Sequence, residues 1–264
     1  MARSRALINV LNLAKKEELP IETQFLNDLK ASIEIQDSKN SGKPSRTFKP
    51  SSMHCIRNMY FQVMGADINE GRMSSELVGI CESGTDRHDR LQKAIMQMKE
   101  NNIDCEYIDV EQYINIHKDE LSDLVVLSKQ GNETKLYHQK YNVRFLCDGI
   151  IRYKGKYYIL EIKTESASKF WDRKDVSEDH ILQGTAYSLL LNLSNVLFVY
   201  ECRDTCNKKA FMFTPTKQQK FDLVNKIIAC QDAIHYEVVP DKPSDVSKKA
   251  CMYCPYSDLC KRLP

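Results

Sequence analysis

Residues 142–166, NVRFLCDGIIRYKGKYYILEIKTES, hold the key to the chain. Two runs rich in β-branched and aromatic residues flank Lys154-Gly155, the composition of two strands around a tight turn. A two-residue loop at Lys154-Gly155 pairs Tyr153 with Lys156. Carried back along the ladder, that register sets Asp148 opposite Glu161. Direct cross-strand partners have Cβ atoms about 4.5–5.5 Å apart. Side-chain alternation places Lys163 on the same face as Glu161 and turns Tyr158, Leu160 and Ile162 to the other, core-like face.

This register carries an electrostatic cost. Like charges directly opposite one another destabilise a sheet. In a partly dry site, one carboxylate must take up a proton or both must share a cation. A divalent metal meets that need, and hard oxygen ligands suit Mg2+ or Mn2+. Lys163, beside the pair, can orient a water or balance phosphate charge, the outline of metal-assisted phosphodiester hydrolysis. The plainer alternative is turn chemistry at Asp148-Gly149 and a solvent-facing ion pair between Glu161 and Lys163. A longer loop at Lys154-Gly155 would also shift the pairing.

The remaining composition fits such a site without demanding it. The chain has 264 residues, 42% hydrophobic and 28% charged, with a net charge of +2. That is ordinary for a globular protein and neutral on whether the partner is nucleic acid. Basic residues cluster at Lys39, Lys43, Arg46 and Lys49, at Arg203, Lys208 and Lys209, and at Lys248, Lys249, Lys261 and Arg262. Each cluster reads as solvated surface or as a piece of a phosphate-contacting track. No apolar run approaches the ~20 residues of a membrane span. The opening MARSRALINVLNLAKKEELP reads as an amphipathic helix, not a signal peptide, so the expected compartment is the cytoplasm. There, ten cysteines point to metal binding or burial before disulfides.

The pattern predicts helices over 3–18 and 22–34 as an N-terminal appendage, followed by a Pro/Gly-punctuated linker over 37–52. A helix over 53–65 is expected, capped by Ser51 or Ser52, then a longer one over 73–101, broken near Gly84. Strands are expected over 106–115, 122–128, 135–152, 156–164, 195–201 and 209–214, with helices over 178–192 and 216–235. The fold class is α/β (α+β), a central mixed sheet flanked by helices. The expected domains are an appendage over 1–50 and a main domain over 51–264.

Asp-x12-Glu-Ile-Lys after a helix resembles the PD-(D/E)XK nuclease superfamily, in its RecB-type branch. Gly84-x3-His88-x3-Gln92 on the preceding helix and Gln183-x3-Tyr187 on the following one are similar to that branch in order. The resemblance implies a restriction-endonuclease-like core. It makes His88 a further metal ligand with Asp148, Glu161 and the Ile162 carbonyl. It makes Lys163 catalytic and gives Gln183 and Tyr187 the task of holding substrate. It implies a Mg2+- or Mn2+-dependent deoxyribonuclease acting on DNA in recombination, repair or phage DNA processing, an exonuclease that digests single strands 5′→3′. The other readings are a CRISPR-adaptation nuclease working with partner proteins and a non-catalytic nucleic-acid-binding module.

The terminal KKACMYCPYSDLCKRLP carries Cys251, Cys254 and Cys260, three ligands of a four-ligand site. One subset of the branch has a four-cysteine iron–sulfur cluster with one early and three late ligands. SSMHCIRNMY is similar to its early piece, which makes Cys55 the fourth ligand. The implied cofactor is [4Fe–4S], with zinc the rival occupant, in the role of a structural staple. Cys81, Cys105 and Cys230 read as buried hydrophobes, Cys147 as turned away from Asp148, and Cys202 and Cys206 as a loop pair. His54, His117, His138, His180 and His235 are expected to be structural.

Overall fold

The computed structural model describes residues 19–40, 46–68, 73–130, 132–244 and 246–263. These fall into two compact units, 19–40 with 73–81, and 46–68 with 82–263. In the first, helix α1 (Ile21–Asn40) runs six residues past the expected end. No glycine or proline interrupts it, and Lys39 in its last turn complements the helix dipole. Lys30 pairs with Glu76 at 2.8 Å, and Glu34 accepts the Ser75 N–H at 3.1 Å. The helix expected over 3–18 lies outside the described residues.

The second unit begins with α2 (Ile56–Met64). Its N-cap is Cys55, with no side-chain cap. Ser52 instead sits in a 3-10 turn and donates its hydroxyl to the Lys49 carbonyl, so the expected serine cap is absent. Helix α3 (Ser75–Met96) passes Gly84 unbroken. Then follow β1 (Cys105–Ile108) and α4 (Val110–Ile116). The expected strand over 106–115 therefore stops early, because the Asp109 carboxylate accepts the Gln112 N–H and starts a helix.

The expected strand over 135–152 falls inside three strands: β3 (Glu133–His138), β4 (Val143–Cys147) and β5 (Gly149–Tyr153). β3 and β4 pair with β2 (Leu124–Gln130) in a small antiparallel sheet, whereas β5 belongs to a second, larger sheet. The chain changes sheets at Asp148. The larger sheet adds β6 (Lys156–Glu165), β7 (Val196–Cys202) and β8 (Lys208–Phe213) in the order β1-β5-β6-β7-β8. It is mixed, as expected: β6 and β7 run parallel, the other neighbours antiparallel. A parallel pair needs a crossover. Here it is α5 (Ala167–Asp172) and α6 (Glu178–Leu190). Helix α7 (Lys217–His235) follows β8, started by a Thr216/Gln219 capping box.

β6 is central and buried on both faces. Leu160 and Ile162 pack with Leu91 of α3, while Ile159 joins Phe198, Ala186 and Ile227 on the opposite side. A charged residue on such a strand is held where water is scarce. Among the described residues no helix is long and apolar enough to cross a membrane.

Candidate metal and phosphodiester site

The hairpin has the expected register. Tyr153 pairs with Lys156 around Lys154 and Gly155, both at positive φ, the geometry of a tight two-residue turn. The ladder runs back to Gly149 opposite Leu160, where Asp148 leaves it. Gly149 is required there: a Cβ would lie 2.5 Å from the Tyr107 ring. The Tyr107 hydroxyl donates to the Asp148 carbonyl at 2.8 Å, and Gln92 donates to the same oxygen at 2.6 Å. The Asp148 carboxylate accepts the Ile162 N–H at 2.7 Å. Three donors from three elements thus fix a residue that belongs to neither strand.

His88, on α3, stands 3.7 Å from Asp148 and 3.6 Å from Glu133. The ligand atoms of these three residues lie within 4.8 Å of one another. Glu133 had no signal in the sequence. It opens β3 in the small sheet, where Thr134 pairs with Cys147, so the next step of the same register sets Glu133 beside Asp148.

Glu161 is 3% exposed. One oxygen accepts from Lys163 at 2.6 Å and from Gln183 at 2.9 Å. The other, Oε2, is buried without a hydrogen-bond partner. Gln183 also donates to the Tyr187 hydroxyl at 2.7 Å. The pair is one helical turn apart, as its spacing implies. Tyr187 is buried against Phe145, so its hydroxyl serves Gln183 and does not reach open surface.

Burial and neighbouring charges set the protonation of the groups at the site. Burial pushes the Glu161 carboxyl up to about 7; Lys163 opposes this and Asp148 adds to it. Burial pulls His88 down, but the neighbouring carboxylates of Asp148 and Glu133 outweigh it and lift the imidazole to about 9. Burial likewise opposes the charge on Lys163, and Glu161 holds it protonated. His88, Glu133 and Asp148 together offer ligands that fit a hard divalent ion; Glu161, which is not in that group of three, adds a buried oxygen with no hydrogen-bond partner.

The four cysteines expected to act together do line one cavity, of about 90 Å³. Cys55 comes from the start of α2. Cys251 lies in α8 (Lys248–Met252), Cys260 in α9 (Ser257–Lys261) and Cys254 between them. Asn58 donates to Cys254 Sγ at 3.6 Å and Arg57 to Cys260 Sγ at 3.5 Å. Arg57 is 4% exposed and also donates to the Pro240 carbonyl, so it ties the early piece to the late one. Burial first, and then the neighbouring thiols, push Cys254 up. Of the other cysteines, Cys105, Cys147, Cys202 and Cys230 are buried, but Cys81 is exposed, against expectation. His180 donates to or accepts from the Tyr200 hydroxyl at 2.8 Å, and His138 stacks on Tyr141.

No family model matches the chain, and no curated protein matches it. Among solved structures it is similar to one described as the crystal structure of SSO0001. The TM-score is 0.46 at 14% identity, over 89% of this chain and 96% of that one. It is also similar to an alkaline exonuclease (LHK-Exo) from Laribacter hongkongensis, with TM-score 0.41 and 12% identity over 74% of this chain and 90% of that one. The same exonuclease in complex with dAMP gives TM-score 0.41 and 12% identity, over 73% and 89% of the two chains.

Proposed function

We propose that the chain is a metal-dependent deoxyribonuclease of the PD-(D/E)XK type. The observation that carries this reading is the orphaned Glu161 Oε2, buried beside Lys163 on the strand whose Ile162 N–H binds Asp148. His88, Asp148, Glu161 and the Ile162 carbonyl would hold Mg2+ or Mn2+, with Glu133 added to that set. A divalent ion bound there supplies Lewis-acid polarisation of a phosphodiester and acidifies a water. Lys163 offers its ammonium to charge that develops on the phosphate. Gln183, itself held by Tyr187, fixes the orientation of Glu161. Gln92 and Tyr107 fix the Asp148 peptide. The expected substrate is DNA, digested from an end 5′→3′ in recombination, repair or phage DNA processing.

We also infer a [4Fe–4S] cluster on Cys55, Cys251, Cys254 and Cys260. The early piece around Cys55 and the three late cysteines, which line one cavity, resemble the ligand set of an iron–sulfur cluster, and that resemblance favours the cluster over tetrahedral zinc, which the same four thiols also suit. Such a centre joins the two ends of the domain, and closing a long loop removes entropy from the unfolded chain.

The test is digestion of end-labelled linear and circular DNA with Mg2+, Mn2+ or EDTA. Metal-dependent loss of linear DNA, abolished in Asp148→Ala and Glu161→Ala, is the expected result. Cleavage that survives EDTA, or is unchanged in both variants, removes the reading. Anaerobically purified protein should be brown; a colourless, zinc-loaded protein removes the cluster.

A further inference from the structure

The strand that carries Glu161 and Lys163 runs directly into α5, and this six-residue helix is held at both ends. At its start, Asp204 accepts the Ala167 N–H at 2.7 Å. At its end, the Lys209 ammonium donates to the carbonyls of Phe170 at 2.7 Å, Trp171 at 3.2 Å and Arg173 at 2.8 Å. Phe170 is 1% exposed and anchors the helix in the core. Its neighbour Trp171, the one tryptophan of the chain, is 56% exposed. The two rings meet edge to face, with centroids 5.1 Å apart, and Lys209 Nζ stands 5.8 Å from the indole centroid. A large apolar ring is thus presented to water on a backbone whose last carbonyls are clamped by a lysine. Core packing explains Phe170; it does not explain Trp171.

The sheet register places the lysine that holds this helix near the candidate site. Lys163 pairs with Tyr200 on β7, and Tyr200 pairs with Lys209 on β8. Ladder partners share a face. Adjacent strands lie about 4.8 Å apart. Lys209, the residue that grips Trp171, is therefore two strand spacings from Lys163, in the same row. Arg173 stacks on the Tyr200 ring at 4.5 Å and is paired with Glu165. Lys169 and Lys174 are exposed on either side of Trp171, as are Asp172 and Asp175. His180, bonded to Tyr200, feels burial first and then the fields of Lys163, Arg173 and Lys169, which together push it down to about 3.

We propose that Trp171 is a stacking platform for an unpaired nucleobase of the strand whose phosphodiester lies at Glu161 and Lys163. This rests on the nuclease reading above. An indole face stacks on any base whose own face is free, and the neighbouring cations follow the backbone. A base inside a duplex has both faces covered, so the platform selects unpaired strands.

The test uses the full chain with EDTA present to stop cleavage. Because Trp171 is the one tryptophan, its emission reports a single site. Titration with oligo-dT should quench it saturably, and a blunt hairpin duplex should not. Trp171→Ala should weaken oligo-dT binding, read by anisotropy, by roughly 5- to 150-fold. Trp171→Phe should recover part of that loss, and neither variant should lower Tm, because the ring is exposed. Bound oligo-dT with unchanged emission, or wild-type affinity in Trp171→Ala, overturns the platform. If such a protein still cleaves DNA with metal, the nuclease reading stands without it. Saturable quenching in a protein that cleaves nothing keeps the platform and removes the nuclease.

Discussion

The carboxylate site and the cysteine cavity are built in opposite ways. The first sits on a strand buried on both faces, and its acids are hydrogen-bonded in place by Ile162, Lys163 and Gln183. The second is made from a helix start and two short terminal helices, and its four thiols are only half-buried. One site is pre-organised by the sheet. The other is tied by Arg57, and the cluster proposed for it would hold its parts together. The difference teaches that metal should matter for chemistry at the first site and for folding at the second.

The sharpest way to break that contrast is Lys163→Ala. Losing a preorganised charge beside a reacting phosphate should slow DNA cleavage by roughly 10²–10³-fold. Tm measured at pH 6 should hold, because the buried Glu161 that Lys163 pairs with is then mostly protonated and needs no cation beside it. Wild-type cleavage in this variant would make Lys163 a mere partner of Glu161. Cys254→Ser should do the reverse. The purified protein should lose its colour and its Tm should fall by about 5–10 °C, the scale of ~3 kcal/mol for a domain of this size.

Glu133→Gln tests the ligand that spacing could not reveal. It should weaken Mn2+ binding, read by calorimetry, by about 10–100-fold. An unchanged affinity would make Glu133 a bystander that only pairs with His88. Gln92→Leu removes one of the two donors on the Asp148 carbonyl. A cost of about 1–3 kcal/mol is expected in chemical denaturation, with weaker metal binding as a consequence.

The smallest effect is the pH dependence of the metal-free fold. Glu161 is raised from 4.5 to about 7 and His88 from 6.5 to about 9. Both folded values lie above the unfolded ones. The stabilisation they contribute is therefore full at low pH and is lost as pH rises, through about 7 for Glu161 and about 9 for His88. A metal ion must displace the same protons. Its apparent affinity should rise between pH 6 and 9, by at most about tenfold per pH unit for each proton released. A flat affinity over that range would mean that neither group ligates.

Much of the site could be read because its pieces are local. The Lys154-Gly155 turn sets the hairpin register and the strand period puts Glu161 and Lys163 on one face, whereas Gln183 and Tyr187 come only with the family resemblance. The single sheet expected from the pattern was too simple. Asp148 is where the ladder ends and the chain passes to another sheet, and no local preference marks that residue as a boundary. Asp109 did carry a signal, since an acid before a helical run is a cap, but the apolar alternation around it read as strand. Cys81 was misjudged because its surroundings are apolar in sequence while its helix face is open.

By itself the sequence determined which groups could share a face, because the two-residue strand repeat and the helical turn are properties of the backbone. It also determined which thiols lie close along the chain. The tertiary structure decided which distant groups meet. Gly149 admits the Tyr107 ring, and the pairing of β3 with β4 carries Glu133 to Asp148 and His88. Long-range packing, and not chain spacing, also leaves Glu161 Oε2 buried without a partner. Such meetings depend on how whole elements close-pack, a property that no short stretch of residues encodes.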